Sequence, residues 1–331
     1  MTNISKLKTI VALALGATML SGTAFAQDVT MRFAHHLPES SEQHIAAERF
    51  AEIVEDKSGG SISVEVLPGG QLGGQREIIE SVQLGTLEMG YGESGLYANY
   101  VPAYGILTLP YLYDDPAHWQ NVVTGDIGNG LNEQLEEATG LVVLNWIQAG
   151  YRDTFTTEKV IQQPSDFEGL KIRVPESPVF VETFSTLNAQ PTPIPFPEVY
   201  TAMQTGVVGA MEGTPEAAYT NNIYEVAKHY NKTRHIFFDG SFVTSRQFLD
   251  TLTEDQQTIV TEAALEVAQQ QRDEWAGRQD EWDSKLAETG IEIHEMDLEP
   301  FREALSDLQD KFAEQAGATD LIGEIRSASG E

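Results

Sequence analysis

Arginine residues inside short apolar segments are the side chains of this sequence best suited to bind an anion. Arg173 lies in the segment Lys171–Val174, whose residues alternate, so the two basic side chains share one face of a predicted strand. The segment ends at a proline, and strand ends in open α/β sheets are where ligands bind. A guanidinium meets a carboxylate as a two-pronged donor, so Arg173 is a candidate carboxylate ligand. The alternative is a surface salt bridge.

Arg152 is a second basic residue close to an apolar run. It follows Gly150, which predicts a turn after the apolar strand predicted over Leu141–Ile147. Without a role in binding, Arg152 would form a salt bridge with Asp153 or Glu158.

Two aromatic residues and a histidine pair are further candidates for a binding pocket. Phe196 and Trp146 are candidate apolar walls, although aromatic residues in such segments more often belong to the core. His35 and His36 are adjacent, and neighbours in a strand point to opposite faces, so the pair is a poor metal chelate. We take His35 as the candidate that faces a pocket, with His36 as the alternative.

Motifs of the common enzyme classes are absent from the sequence. It contains no Cys, no G-x-S-x-G and no H-E-x-x-H. The glycine-rich segment Gly69–Gly74 matches neither dinucleotide-binding nor phosphate-loop spacing and predicts a turn. The sequence therefore predicts that the protein is not an enzyme and that it has neither a cofactor nor a metal site.

The elements that must position these residues alternate between strands and helices. This rhythm predicts an α/β fold with a mixed, mainly parallel sheet. Predicted strands cover 29–33, 61–67, 87–91, 141–147, 171–174, 207–211, 235–243 and 291–294. One predicted helix starts at Ser40, and further helices are predicted over 75–84, 178–187, 198–205 and 300–315.

Helical periodicity near the C-terminus is unusually long. Thr253 is an N-cap, and the pattern runs to about Glu288. Either Gly277 divides it into two helices, or one helix crosses both domains. We favour one continuous helix.

The N-terminus and the charge indicate an exported protein. Residues 1–26 have a basic start, an apolar stretch and a small-residue cleavage site, as in a cleaved signal peptide. The 20 Lys and Arg against 51 Asp and Glu give a net charge of −31, which argues against nucleic acid and anionic lipid as partners. With no Cys, neither a lipid-attachment cysteine nor a disulfide is expected.

The segments that carry function are similar to those of a known family. In the same order, and over nearly the whole chain, the sequence resembles the DctP-type solute-binding proteins of tripartite ATP-independent periplasmic (TRAP) transporters. The segments that carry the resemblance are 68–74, 103–113, 150–153, 169–175, 193–200 and 204–212.

This resemblance implies a two-domain clamshell fold of the periplasmic-binding-protein type. The expected domains are 27–150 plus about 239–278, and 151–238 plus about 279–331.

The resemblance also assigns residues. It implies that Arg173 clamps the ligand carboxylate, that Arg152 is a second basic contact, and that Glu93 matches a Glu that receives hydroxyl or amino groups in sialic-acid-binding relatives. The chain departs from the family near Glu212. Many members have Asp-Gly-x-Glu-Asn, whereas here an Asp is absent and Gly213 replaces the Asn. Glu212 is therefore either a pocket residue or a hinge contact.

The expected function is capture of a small organic acid in the periplasm for the small and large integral membrane subunits of a TRAP transporter. A hydroxylated monocarboxylate such as a sugar acid suits two arginines and a glutamate, with a C4-dicarboxylate or keto acid as the alternative. We expect a monomer that does not insert into the membrane. The competing hypotheses are a ligand-sensing periplasmic input protein and, less favoured, a periplasmic enzyme acting on acidic sugars.

Overall fold

A mixed sheet with helices packed around it forms the described chain and confirms the α/β class. The structure is a computed structural model that describes residues 29–275 and 277–328. The predicted signal peptide at 1–26 lies outside them. The strands are β1 (Val29–Ala34), β2 (Ile62–Leu67), β3 (Met89–Gly92), β4 (Leu141–Val143), β5 (Ile147–Thr156), β6 (Lys171–Val174), β7 (Gln190–Pro193), β8 (Ala210–Gly213), β9 (His229–Ser245) and β10 (Glu292–His294).

The helices of the described residues differ widely in length. Four short 3₁₀ helices lie among them, at Pro102–Thr108, Pro164–Phe167, Phe196–Glu198 and Ile223–Glu225. The α-helices are α1 (Glu42–Lys57), α2 (Gln75–Gln83), α3 (Ser94–Tyr97), α4 (Pro116–Thr124), α5 (Asp126–Thr139), α6 (Pro178–Thr186), α7 (Val199–Gln204), α8 (Pro215–Thr220), α9 (Arg246–Leu249), α10 (Glu254–Glu274), α11 (Arg278–Glu288), α12 (Glu299–Ala304), α13 (Ser306–Gln315) and α14 (Thr319–Ser327).

Two long strands join the two halves of the sheet. The strand order is β2-β1-β3-β9-β5-β8-β6-β7, with β4 and β10 also paired to β9. The outer pairs, such as β1–β2 and β6–β7, are parallel, whereas β9 runs antiparallel to β3, β4 and β5. Because β9 has 17 residues and pairs with β5 along most of that strand, β5 and β9 are common to both halves.

The prediction of a turn at Gly150 is wrong. The chain makes the short strand β4 and then runs through Gly150 within β5. The pairing with β9 shifts register between Gln148 and Gly150, where Gly150 has φ +92°. A glycine in the left-handed region of a strand marks a β-bulge, so the chain bends here without reversing.

The single long C-terminal helix is also a wrong prediction. The chain forms α10 and α11, and Gly277 before α11 has φ +87°, which an α-helix cannot accommodate. Helix α10 packs on α1 and β5, whereas α11 packs on α8. The two helices therefore serve different parts of the molecule. The helix predicted over 300–315 is likewise divided, into α12 and α13.

The hydrophobic core is divided in the same way. One cluster joins β1, α1 and α10, with Phe33, Phe50 and Phe242 in edge-to-face contact. A second joins α7, β8 and α11 around Phe155 and Tyr230. The largest cluster links both halves of the sheet.

None of the helices described is both long enough and apolar enough to span a membrane.

Candidate ligand-binding site

Arg173 presents an unpaired guanidinium nitrogen to a cavity. It lies on β6, 3% exposed, and its Nε donates a hydrogen bond to the Ile194 carbonyl at 2.8 Å. Its guanidinium carbon lies 5.3 Å from the centre of the Phe196 ring. Nη1 is buried and has no hydrogen-bond partner among the described residues. Burial lowers the pKa of Arg173 to about 10, so the group remains charged at neutral pH.

Arg152 already has a carboxylate partner. Its Nε and Nη2 donate to the two carboxylate oxygens of Glu212 at 2.5 Å each, and both residues are buried. The guanidinium carbon also lies 4.9 Å and 4.2 Å from the ring centres of Phe180 and Phe238. The antiparallel pairing of β5 with β8 brings the two ends of this ion pair together. The charge of Arg152 is therefore matched inside the protein.

Glu212 is held ionised by its surroundings. Burial alone would raise the pKa of Glu212, but the charge of Arg152 and hydrogen bonds from His235 and Arg152 hold that pKa well below its ordinary value.

The alternative salt bridges of Arg152, with Asp153 or Glu158, do not form. Asp153 instead accepts hydrogen bonds from the Tyr230 hydroxyl at 2.8 Å and the Arg234 amide at 2.7 Å.

Glu93 faces the same cavity from the other half of the sheet. It follows β3 and precedes α3, and its Oε1 is buried without a hydrogen-bond partner in the described chain. Burial raises the pKa of Glu93 to about 8; Asp239 adds to this shift, while Arg152 and Arg173 oppose it. Glu93 therefore carries a proton at neutral pH and adds no charge to the cavity.

The cavity has a mixed polar and aromatic lining. Several lining atoms are buried hydrogen-bonding groups with no partner among the described residues, which is costly unless a ligand or water satisfies them. These atoms are His36 Nδ1, Gln43 Oε1, Gln75 Nε2, Tyr91 Oη, Glu93 Oε1 and Arg173 Nη1. The arrangement can bind one anionic group and several hydroxyl groups.

The structure puts most of the predicted site residues around this cavity. Arg173, Arg152, Glu93, Phe196 and Gly213 all line it. Glu212 does not line the cavity itself but forms an ion pair with Arg152, which does.

Two predicted site residues lie elsewhere. His36, rather than His35, lines the cavity, because successive side chains after β1 point opposite ways. His35 instead contacts His44, with 3.0 Å between Nε2 and Nδ1. Trp146 packs near Tyr104 in the hydrophobic core, so the prediction that it forms a cavity wall is wrong.

Sequence reasoning missed five polar residues of the cavity: Gln43, Gln75, Tyr91, Thr214 and Glu216. The residue that caps α1 is Ser41, and the buried Gln43 side chain lines the cavity. Gln75 begins α2, and Tyr91 lies near the end of β3. The one available signal was their place at the carboxyl end of a strand or at the start of a helix.

The fold and the site define a solute-binding protein, and comparison with known proteins gives the family. Residues 33–316 match the family model of bacterial extracellular solute-binding protein, family 7 (DctP), so the chain belongs to that family. Proteins of this family bind small acid ligands and work with membrane subunits.

Individual relatives agree with this assignment. The chain is 30% identical to the 2,3-diketo-L-gulonate-binding periplasmic protein YiaO of Escherichia coli, over 86% of this chain and 87% of that protein. It is 31% identical to a TRAP periplasmic solute-binding protein of Sulfitobacter sp. NAS-14.1 solved with β-D-galacturonate, with a TM-score of 0.86 and coverage of 90% and 99%. A Polaromonas sp. JS666 protein bound to D-erythronate is 29% identical, with a TM-score of 0.87 and coverage of 92% and 100%.

Proposed function

We propose that this chain captures a hydroxylated monocarboxylate, of the sugar-acid class, in the cavity beside Arg173. One observation carries the proposal. The Arg173 guanidinium is buried and charged, and its Nη1 has no partner in the described chain. A buried charge without a partner is unfavourable, and a carboxylate is the group that matches a guanidinium fork.

The charges of the cavity favour one carboxylate over two. Of the arginines that line it, Arg152 is already paired with Glu212, which leaves the charge of Arg173 for the ligand. A second ligand carboxylate would meet Glu93, which is either neutral or negative and never a cation. A C4-dicarboxylate therefore fits less well than a sugar acid.

The remaining unpaired atoms suit hydroxyl groups. Gln43 Oε1 accepts hydrogen bonds, Gln75 Nε2 donates them, and Tyr91 Oη does both, as does a sugar hydroxyl. The ligands named for the relatives above are hydroxylated carboxylates, which supports the same class here.

We further propose that the cavity lies between two lobes that close on the ligand. The lobes are 27–150 plus about 239–278, and 151–238 plus about 279–331. Ligand stabilises the closed form because it makes contacts with both lobes at once. The polar residues around the cavity come from both of them: His36, Gln43, Gln75, Tyr91 and Glu93 from the first, and Arg152, Arg173, Thr214 and Glu216 from the second.

The cellular setting follows from the family. We propose that the chain is exported by the predicted signal peptide at 1–26, acts as a monomer in the periplasm, and delivers its ligand without turnover to the small and large membrane subunits of a TRAP transporter.

The test is titration calorimetry of the purified protein, after bound ligand is removed by unfolding and refolding. The titrants are D-galacturonate, D-galactonate, D-erythronate and succinate. Arg173→Ala should weaken sugar-acid binding at least 30-fold, since removing one partner of a buried charge pair costs about 2–5 kcal/mol. Arg246→Ala is the matched control, because Arg246 is 44% exposed and pairs with Glu136. Equal affinity of wild type and Arg173→Ala, or a preference for succinate, would overturn the proposal.

A further inference from the structure

We propose that His229, Glu292 and His294 form a binding site for a divalent transition metal of the zinc class. The proposal is independent of the proposed function, and it departs from the sequence prediction of no metal site. Among the described residues, these three form the one group of histidine and acidic side chains whose ligand atoms come close enough to hold an ion.

The strand pairing brings the three side chains to one face. Strand β10 lies parallel to β9, with Glu292 directly opposite His229. His294 is two residues further along β10, and residues two apart on a strand share a face. The Glu-x-His spacing on one strand and a His on its neighbour therefore converge without any distortion of the sheet.

The distances match three corners of a tetrahedral site. His229 Nδ1 lies 3.2 Å from His294 Nε2 and 3.2 Å from Glu292 Oε2, and the last two atoms are 3.8 Å apart. Ligand atoms about 2.1 Å from a tetrahedral zinc ion lie about 3.4 Å from one another. A point about 2.1 Å from all three atoms lies about 0.7 Å out of their plane, as it does in an ideal tetrahedron.

A backbone carbonyl orients one of the ligands. His229 Nε2 lies 3.2 Å from the Glu158 carbonyl oxygen, an arrangement in which Nε2–H donates. The lone pair of the same ring is then on Nδ1, the atom that faces Glu292 and His294. Metal-binding histidines are commonly fixed in this way by a hydrogen bond from the other ring nitrogen.

The donor set selects the class of metal. Two imidazoles and one carboxylate suit Zn²⁺, Ni²⁺, Co²⁺ or Cu²⁺, whereas Ca²⁺ and Mg²⁺ prefer all-oxygen sites. The Glu292 side chain is 68% exposed, so the fourth coordination position can be taken by water. Since β10 follows α11, a bound ion would fasten the chain after α11 to β9.

The experiment is calorimetric titration of chelator-treated protein with ZnCl₂. We expect one Zn²⁺ per chain, and affinity reduced at least tenfold in His294→Gln. Glu292→Gln serves as a second variant, because its exposed side chain leaves folding intact. His44→Gln is the matched control: His44 also contacts a histidine, at 3.0 Å from His35, but belongs to no three-ligand group in the described chain.

Co²⁺ bound in place of Zn²⁺ should give the intense visible absorption of a four-coordinate ion. That absorption should be lost in His294→Gln and kept in His44→Gln. The absence of stoichiometric zinc binding, or equal affinity in wild type, His294→Gln and Glu292→Gln, would overturn the proposal. Sugar-acid affinity should be the same in all these variants, so this outcome is separate from that of the proposed function.

Discussion

Replacing Glu212 with Gln removes one charge from the buried pair with Arg152 while nearly preserving the shape of the side chain. The wild-type pair has two hydrogen bonds of 2.5 Å, and both residues are buried. In Glu212→Gln, Arg152 keeps a neutral hydrogen-bond acceptor but loses its counter-charge. The variant therefore tests whether Arg152 is held mainly by the ion pair or by its packing.

The expected loss of stability follows from two opposing contributions. Breaking a buried ion pair on one side typically costs about 3–5 kcal/mol. The neutral acceptor left by Glu212→Gln still receives a hydrogen bond from Arg152, which restores about 1 kcal/mol. The cation–π contacts of Arg152 with Phe180 and Phe238 are present in both proteins and cancel from the difference. We therefore expect the free energy of unfolding to fall by about 2–4 kcal/mol, which corresponds to a fall in melting temperature of roughly 3–6 °C for a chain of this length.

Urea unfolding and thermal melting of the ligand-free protein measure this loss. The stability gap between wild type and Glu212→Gln should shrink as pH falls from about 5 to 3. A lowered carboxyl pKa stabilises the fold above the ordinary pKa, and this contribution is lost on protonation. Glu136→Gln, in an exposed pair with Arg246, should change stability by less than about 1 kcal/mol. A wild-type melting temperature for Glu212→Gln would refute the argument.

Two further predictions concern protonation and backbone geometry. Because Glu93 in the closed cavity holds a proton up to pH about 8, affinity for a sugar acid should fall as pH rises toward and through 8, by at most about tenfold per unit. Calorimetry should show a flatter pH profile for Glu93→Gln, and an equally steep one would contradict this assignment. Gly150→Ala should destabilise the protein by about 1–3 kcal/mol in urea unfolding, because its φ is +92° and the new Cβ would lie 2.8 Å from Trp275 and Gln279 side-chain atoms. Gly130→Ala, in α5 with open space around it, should be neutral or stabilising, and equal losses in both variants would refute the steric reasoning.

Local patterns were sufficient to predict much of the fold and one side of the site. The alternation in Lys171–Val174 located β6 and put Arg173 at a strand end. The same local reasoning failed at Gly277, because a glycine within helical periodicity leaves open whether the helix continues. It failed at Gly150 because a turn and a β-bulge use the same left-handed glycine.

The electrostatics of the site depend on contacts between distant parts of the chain. Arg152 and Glu212 are 60 residues apart and meet only because β5 pairs with β8. A sequence pattern identifies both as charged but does not reveal that each neutralises the other. The unpaired state of Arg173 depends on the same contact, so its distinct role could be inferred from the resemblance but not from spacing.

The register shifts in β5 have a mechanical consequence. The pairing of β5 with β9 is interrupted between Gln148 and Gly150, and again between Arg152 and Thr154. A regularly hydrogen-bonded pair of strands resists bending, whereas a β-bulge can bend with the loss of few hydrogen bonds. If the two lobes open as proposed, the flexing should concentrate at these interruptions, one of which adjoins Arg152. Arg152 and Glu212 would then move together when the lobes open or close. The ion pair would stay intact, so this movement would bring no net charge into the cleft.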